Sequence, residues 1–323
     1  MLGLHASHEA FSPRVLLDAV RLADAAGFQA AMCSDHFHAW TAAPFAQSGF
    51  AWSWLGAALE ATRLPFGVVN APGQRYHPAI VAQAAATLAA MYPRRVWVAL
   101  GSGEAINEAI TGAPWPPKPE REARLLECVE VIRALWRGET VTHAGAVRVV
   151  SARLATRPET PPLLFGAAIT EETAEWVGGW ADGLITVGGG DAAALGRTVQ
   201  AFHRGGGRGK PVMLQLALAY GPTEAAALSL ARARWPHAAL QPTQLADIET
   251  PEAFDRATGS VTADDLRGRL AVTDDLGRVR GWIEDARAAG VREIYLSPIV
   301  EDLLAFVGEV GERVAPRLGR LAA

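Results

Sequence analysis

Lysine is nearly missing from this 323-residue chain: Lys118 and Lys210 are its only two, and arginine supplies the rest of the 30 basic residues. With a formal net charge of −4 there is no basic stripe to neutralise phosphates, so no nucleic-acid partner is expected. Cysteine is as scarce. Cys33 and Cys128 stand far apart in apolar surroundings, which excludes a disulfide framework and reads as two buried, reduced thiols of a cytoplasmic protein. No apolar run approaches the roughly 20 residues of a membrane span. The opening MLGLHASHEAF lacks the basic and apolar regions of a secretion signal. Nor does a Pro-, Gly- or Ser-rich linker divide the chain, so a single domain over residues 1–323 is expected.

What is present has a rhythm. Eight short apolar runs, each followed by a polar or glycine break and an amphipathic stretch, fall at residues 2–6, 29–34, 64–70, 95–101, 162–168, 182–188, 212–220 and 293–298. They are almost continuously apolar rather than alternating, as parallel strands covered by helices are. The stretches between carry helix punctuation: Ser12-Pro13 opens one that Gly27 closes, and EREARLLECVEVIRALWRG ends at Gly138. Eight such units predict an α/β fold of the (β/α)8 TIM-barrel class, with a doubly wound sheet as the alternative. Insertions are expected after strands 2, 4 and 7. These are a loop at 38–50, a hairpin at 139–155 and a mixed segment at 233–273.

Barrel enzymes keep their chemistry at the C-terminal ends of the strands, and polar residues collect there. Strand 1 ends at His5, strand 2 in Ser34-Asp35-His36-Phe37-His38-Ala39-Trp40, strand 3 in NAPGQRYHP and strand 4 in GSGEAINE. Histidine is the side chain that works as an acid or base near neutral pH without a large shift. His36 and His38 could also form a metal pair with His5, His77 or Glu104. Two other patterns fail on inspection. GSGEAI puts Ile106 where a dinucleotide fingerprint needs its third small residue. RGGGRGKP begins at Arg204 and ends at Pro211, and it precedes a strand instead of opening a helix. After strands 5 and 6, GAAITEE and TVGGG offer small residues whose amides can approach an anion, with Thr170 capping the next helix; tight turns alone would explain them equally.

Four of these motifs, SDHFHAW, ALGSGEAINE, FGAA and WADGLITVGGG, resemble in order and spacing the luciferase-like flavin oxidoreductases. The resemblance is to the branch near the F420-dependent glucose-6-phosphate dehydrogenases. It implies a flavin or deazaflavin ring at the barrel mouth with Asp35 and His36 beside it; from the residues themselves, Asp35 is expected to raise or orient His36. It implies that Trp40 flanks the substrate and that Ser102, Glu104 and Asn107 lie along the ring's polar edge. An unusual peptide bond is implied near Asn70-Ala71. The cofactor phosphate would lie on Gly166, Ala167, Ala168, Thr186, Gly188 and Gly189.

In the F420-using relatives the matching His and Glu act as base and acid. Sugar-phosphate recognition in that branch uses lysines and an arginine, and this chain's lysine poverty argues against such a substrate. HASHE, SGFAWSWLGAALEAT and APGQRYHPAI resemble a subgroup that uses FMN. The expectation is therefore an FMN-dependent oxidoreductase or monooxygenase acting on a small organic molecule. As an oxygenase it would be fed by a separate NAD(P)H flavin reductase, and the resemblance implies a homodimer. The alternative is an F420-dependent dehydrogenase with His36 as base and Glu104 as acid.

Overall fold

The computed structural model describes residues 1–318; of the expected domain 1–323, residues 319–323 lie outside the described residues. Eleven strands form. They are β1 (Leu2–Ala6), β2 (Ala30–Ser34), β3 (Phe66–Asn70), β4 (Val96–Leu100), β5 (Val141–Ala144), β6 (Arg148–Ala152), β7 (Leu163–Ala167), β8 (Gly183–Gly188), β9 (Val212–Tyr220), β10 (Ala271–Thr273) and β11 (Glu293–Ile299). The sheet runs β10-β9-β11-β1-β2-β3-β4-β7-β8 with β9 also paired to β8, so eight parallel strands close into a barrel. All eight expected strands are present, shifted by at most two residues at an end.

Two additions depart from that reading. The hairpin expected at 139–155 is β5 paired with β6. The segment 233–273 yields a ninth strand, β10, which adds to β9 outside the barrel, where Ala271 pairs with Leu218. Three residues are too few for a pattern of period two to show.

The barrel interior explains three glycines. A Cβ on Gly3 would lie 2.4 Å from the Tyr295 ring, one on Gly67 1.9 Å from Trp97, and one on Gly183 2.4 Å from Phe165. The three aromatic rings fill the space those glycines leave and form one inner layer with Met32, Ile185 and Met213. Above them lies a polar layer. His5 bridges the two strands that flank β1, with Nδ1 3.0 Å from Ser297 Oγ of β11 and Nε2 3.1 Å from Ser34 Oγ of β2. Burial pushes its pKa down to about 4, and both ring nitrogens are taken by these serines, which leaves neither for a metal.

Twelve α-helices occur among the described residues. They are α1 (Pro13–Ala25), α2 (Ala51–Ala61), α3 (Pro78–Met91), α4 (Ala105–Glu108), α5 (Lys118–Arg137), α6 (Glu171–Gly178), α7 (Ala192–Phe202), α8 (Glu224–Arg234), α9 (Pro242–Asp247), α10 (Pro251–Thr258), α11 (Leu276–Ala288) and α12 (Leu303–Arg313). Ser12 caps α1 by accepting from Val15 N, and Gly138 ends α5 at φ 88°. His77 is a cap too: its Nδ1 accepts from Ala79 N at 3.2 Å and its Nε2 lies 2.9 Å from Arg148 O. No described helix is long and apolar enough to cross a membrane.

The insertion carrying α9 and α10 folds back over the mouth. Leu240 and Phe254 pack on Ile106 of α4, with Trp40, Leu245 and Ile248 around them. Its polar ties are few. Asp247 Oδ1 accepts from Trp115 Nε1 at 3.0 Å and from Arg121 Nη1 at 3.2 Å, and Asp255 Oδ2 accepts from Ala42 N at 3.0 Å.

Candidate active site

Register brings the central pair together. Ala6 of β1 is level with Cys33 of β2, so Glu9 and His36 each lie three residues beyond that pair. His36 Nδ1 sits 2.8 Å from Glu9 Oε1, with the two side chains 16% and 2% exposed. Ser7 Oγ donates to the other oxygen, Glu9 Oε2, at 2.6 Å. Burial alone would lower the His36 pKa, but the charge and contact of Glu9, then the charge of Glu104, outweigh it and hold His36 above its ordinary value. For Glu9 burial pushes upward and His36 pulls down harder, so its carboxyl stays ionised far below the usual range. The orienting partner is therefore Glu9 and not Asp35, which corrects the sequence reading.

Alternation across β2 gives the reason. Met32 faces the barrel interior while Cys33 packs outward toward the helices, so His36 follows the inner series and Asp35 the outer one. Asp35 is held in a separate buried knot. Asn70 Nδ2 donates to its Oδ2 at 2.8 Å, Arg75 Nη2 donates to its carbonyl at 2.6 Å, and Arg75 Nη1 lies 3.5 Å from Oδ1. Arg75 also reaches Glu108, with Nε 3.6 Å from Oε1 and its backbone N–H donating to Oε2 at 2.6 Å. Asn70, on the outer series like Asp35, belongs to this knot. The described peptide bonds are all trans, that after Asn70 included, so the unusual bond expected near Asn70-Ala71 is absent. Trans is what a non-proline bond favours by about 2.5–4 kcal/mol.

Of the remaining expected residues, Trp40 and Glu104 join His36. The Trp40 ring meets His36 edge-on, 4.6 Å between centroids at 87°. Glu104 begins α4, and its buried Oε2 has no protein partner. Burial pushes this carboxyl up, His36 draws it back, Glu9 pushes it up again and the Trp40 indole lowers it; the net is a raised pKa. Ser102 lies half-buried on the same turn, and Ala71 packs beside it, its Cβ 3.5 Å from where a Gly103 Cβ would stand. Asn107 points elsewhere: its Oδ1 accepts from Phe37 N at 2.8 Å and His38 N at 3.3 Å, propping up the His36 loop. His38 stacks edge-on with Phe37, and no metal-holding cluster occurs among the described residues.

The expected phosphate turns divide. A Cβ at Gly166 would fall 2.4 Å from Val177 Cγ1, so that glycine admits α6 to the sheet. Ala168 N is spent on Ile185 O, and Thr186 is buried on the helix side with Leu184. Gly188 packs against Leu214. Gly189 lies under the insertion, where a Cβ would come within 2.1 Å of Arg269 O. Asp191 already caps α7, accepting from Ala193 N and Ala194 N. At the start of α6, by contrast, the amides of Ile169 and Thr170 have no acceptor among the described residues, and Thr170 Oγ1 caps Thr173 N. Val69 and Ala167 pack on the inner aromatic layer, and Val187, 44% exposed, follows Ile185 on the inner series of β8.

Three groups in the same space were not singled out from the sequence. Glu9 was quoted only within HASHE. His237 and Trp235 come from the insertion: His237 stacks on Trp40 at 4.5 Å and 27°, and Trp235 stands 4.7 Å from His237 and 5.4 Å from Trp40. Burial pushes His237 down to about 3, so it is neutral.

Comparison with known proteins adds to this geometry. The model of the luciferase-like monooxygenase family matches residues 2–293. The chain is 35% identical to an F420-dependent glucose-6-phosphate dehydrogenase of Beutenbergia cavernae, covering 98% of this chain and 97% of that one. It is 32% identical to the enzyme of that name from Mycobacterium avium, covering 99% and 98%. Its fold superposes with a TM-score of 0.90 on an F420-dependent secondary alcohol dehydrogenase solved with an F420–acetone adduct, at 30% identity over 98% of this chain and 99% of that one. All three relatives are F420-dependent dehydrogenases, and this overturns the expectation of an FMN-dependent oxidoreductase or monooxygenase.

Proposed function

The chain belongs to the luciferase-like monooxygenase family and is an oxidoreductase, and from that premise we propose that it is an F420-dependent dehydrogenase. The carrying observation is the buried Glu9–His36 contact set beside Glu104, whose buried Oε2 has no hydrogen-bond partner among the described residues. The mouth fits a flat ring with a phosphate. Val69, Ala167 and Val187 supply apolar side chains on the inner series, Glu104 Oε2 and Trp40 Nε1 are buried polar atoms without partners, and the unspent amides of Ile169 and Thr170 suit the phosphate. When bound, F420 supplies a two-electron hydride acceptor.

The protein's own part is proton management. His36 Nδ1 is against Glu9, which leaves Nε2 open to take the proton of a substrate hydroxyl. The ionised Glu9 carboxylate stabilises the imidazolium that results. Glu104, its carboxyl pushed up by burial, stands beside the slot as the acid. Trp40 excludes water from one side of His36.

His36 must be neutral to act as the base, so kcat/KM for alcohol oxidation should rise with pH through a pKa above the ordinary 6.5. Glu9→Gln removes the largest upward influence and leaves burial, which lowers. The acid limb should therefore move to lower pH, with a kcat loss of about tenfold from the lost imidazolium stabilisation. An acid limb that stays in place would separate Glu9 from the titration.

The cofactor is tested by titrating cofactor-free protein with F420 and with FMN while following visible absorbance. F420 should saturate the protein and FMN should not. The reverse result would overturn this reading.

A further inference from the structure

The helix that carries Glu104 does not hold its place unaided. α4 is a single turn of four residues, and Glu104 at its N-cap makes no side-chain capping bond. A helix this short has no stability of its own in water. All four of its residues are nonetheless buried, and the last three turn to different neighbours. Ile106 packs under the insertion with Leu240 and Phe254. Glu108 meets Arg75, which reaches on to the Asp35 carbonyl. Asn107 Oδ1 accepts from Phe37 N at 2.8 Å and His38 N at 3.3 Å. Two of these ties therefore end on the residues that flank His36 in the chain, Asp35 before it and Phe37 with His38 after it.

We propose that Asn107 is a positioning residue that fixes the separation of Glu104 from His36. The roles of acid and base rest on the dehydrogenase reading; the tie itself rests on geometry. The Asn107 side chain is buried and one oxygen takes both amides, so displacing α4 breaks two hydrogen bonds at once. Ties before and after His36 hold a distance where one alone would act as a hinge. The distance matters, because misplacing a catalytic group by about 1 Å costs on the order of 100-fold in rate. It also couples the two titrations. Burial holds the nearby His5, His8 and His237 low, which leaves Glu9, Glu104 and Arg75 as the charged groups acting on His36. Glu104 is one of the upward influences on His36, and His36 in turn draws Glu104 down. Separating them lowers the first and raises the second.

The test begins with cofactor-free protein labelled at histidine. NMR titration of His36, identified by its absence in His36→Gln, should give a lower pKa in Asn107→Leu than in the parent. Asn107→Ser, shorter but still polar, carries the same expectation if the leucine variant does not fold. Asn107→Asp keeps an oxygen acceptor on the same stem and its charge can only raise His36, so no fall is expected there. In the F420-loaded enzyme, turnover is followed by F420 reduction with 2-propanol or glucose 6-phosphate, whichever the parent oxidises. Asn107→Leu should lower kcat about 10- to 100-fold with F420 affinity unchanged. Its kcat/KM profile should broaden, the acid limb moving to lower pH and the alkaline limb to higher. A variant that is merely less stable keeps the parent's limbs. His36 titrating as in the parent overturns the inference. So does a loss of F420 affinity as large as the loss in kcat, which would make Asn107 a cofactor ligand. A lowered His36 in a protein that reduces no F420 upholds the tie and overturns the dehydrogenase reading instead.

Discussion

His36→Ala should slow turnover by about 10²- to 10⁴-fold, the range for losing a general base, with F420 affinity within a factor of a few of the parent. The loss should fall on kcat, because the role proposed for the side chain is to take a proton during hydride departure rather than to hold the ground state. The same change strips Glu9 of its partner in a site where both groups are nearly closed to solvent. Burial then pushes the Glu9 carboxyl up unopposed by His36, and part of the stability goes with the lost pair. His36→Gln separates the two effects, since its amide can still face Glu9 but cannot accept a proton at neutral pH. Circular dichroism and a thermal melt of both variants would accompany the kinetics. Folded variants with undiminished turnover would remove His36 from the reaction. Variants that fail to fold would make the pair an architectural one.

The largest effect on stability is expected at Arg75→Met. Its guanidinium stands between the Asp35 and Glu108 carboxylates, whose side chains are 0% and 2% exposed, and it lies 4.6 Å above the Tyr76 ring. Deleting the shared cation leaves two buried acids without compensation, a loss of about 3–5 kcal/mol. The deficit should depend on pH in a defined direction. Burial already holds the Glu108 carboxyl above its usual range against the pull of Arg75, so without the cation Glu108 takes up a proton more readily. Acid relieves the repulsion, and the difference between variant and parent should shrink from pH 8 to pH 5. Urea unfolding at several pH values gives the result directly. A deficit that grew on acidification would contradict the account of the knot.

Much of the fold was legible because it rests on local pattern. Continuous apolar runs locate the parallel strands, and Ser12-Pro13 and Gly138 mark helix ends by chemistry that acts within one turn. The site was legible in part. His36, Trp40 and Glu104 stand at strand ends and meet as the barrel requires. The Glu9–His36 contact was hidden because it depends on the register of β1 against β2, which no local pattern displays. The error over Asp35 was avoidable: counting by two from Met32 passes through Ser34 to His36 and leaves Asp35 on the outer series. His237 and Trp235 lie about 200 residues from Trp40, so nothing in WPHAAL announces that they stack on it. The reading of FMN failed for another reason. Whether a slot takes a flavin or a deazaflavin rests on small differences at the ring edge, and backbone pattern carries no trace of them.

His36 and Glu104 hang from barrel strands whose loss would undo the whole molecule. Trp235 and His237 ride on a segment joined to the rest by an apolar patch and a few polar ties, one of them to the exposed Asp247. Mutation therefore meets two different landscapes in one active site. A change between residues 235 and 258 disturbs local packing and little else, so variants there survive and can be sampled widely. The wall around Trp40 can thus be rebuilt from a single excursion of chain without altering the strands that carry His36 and Glu104.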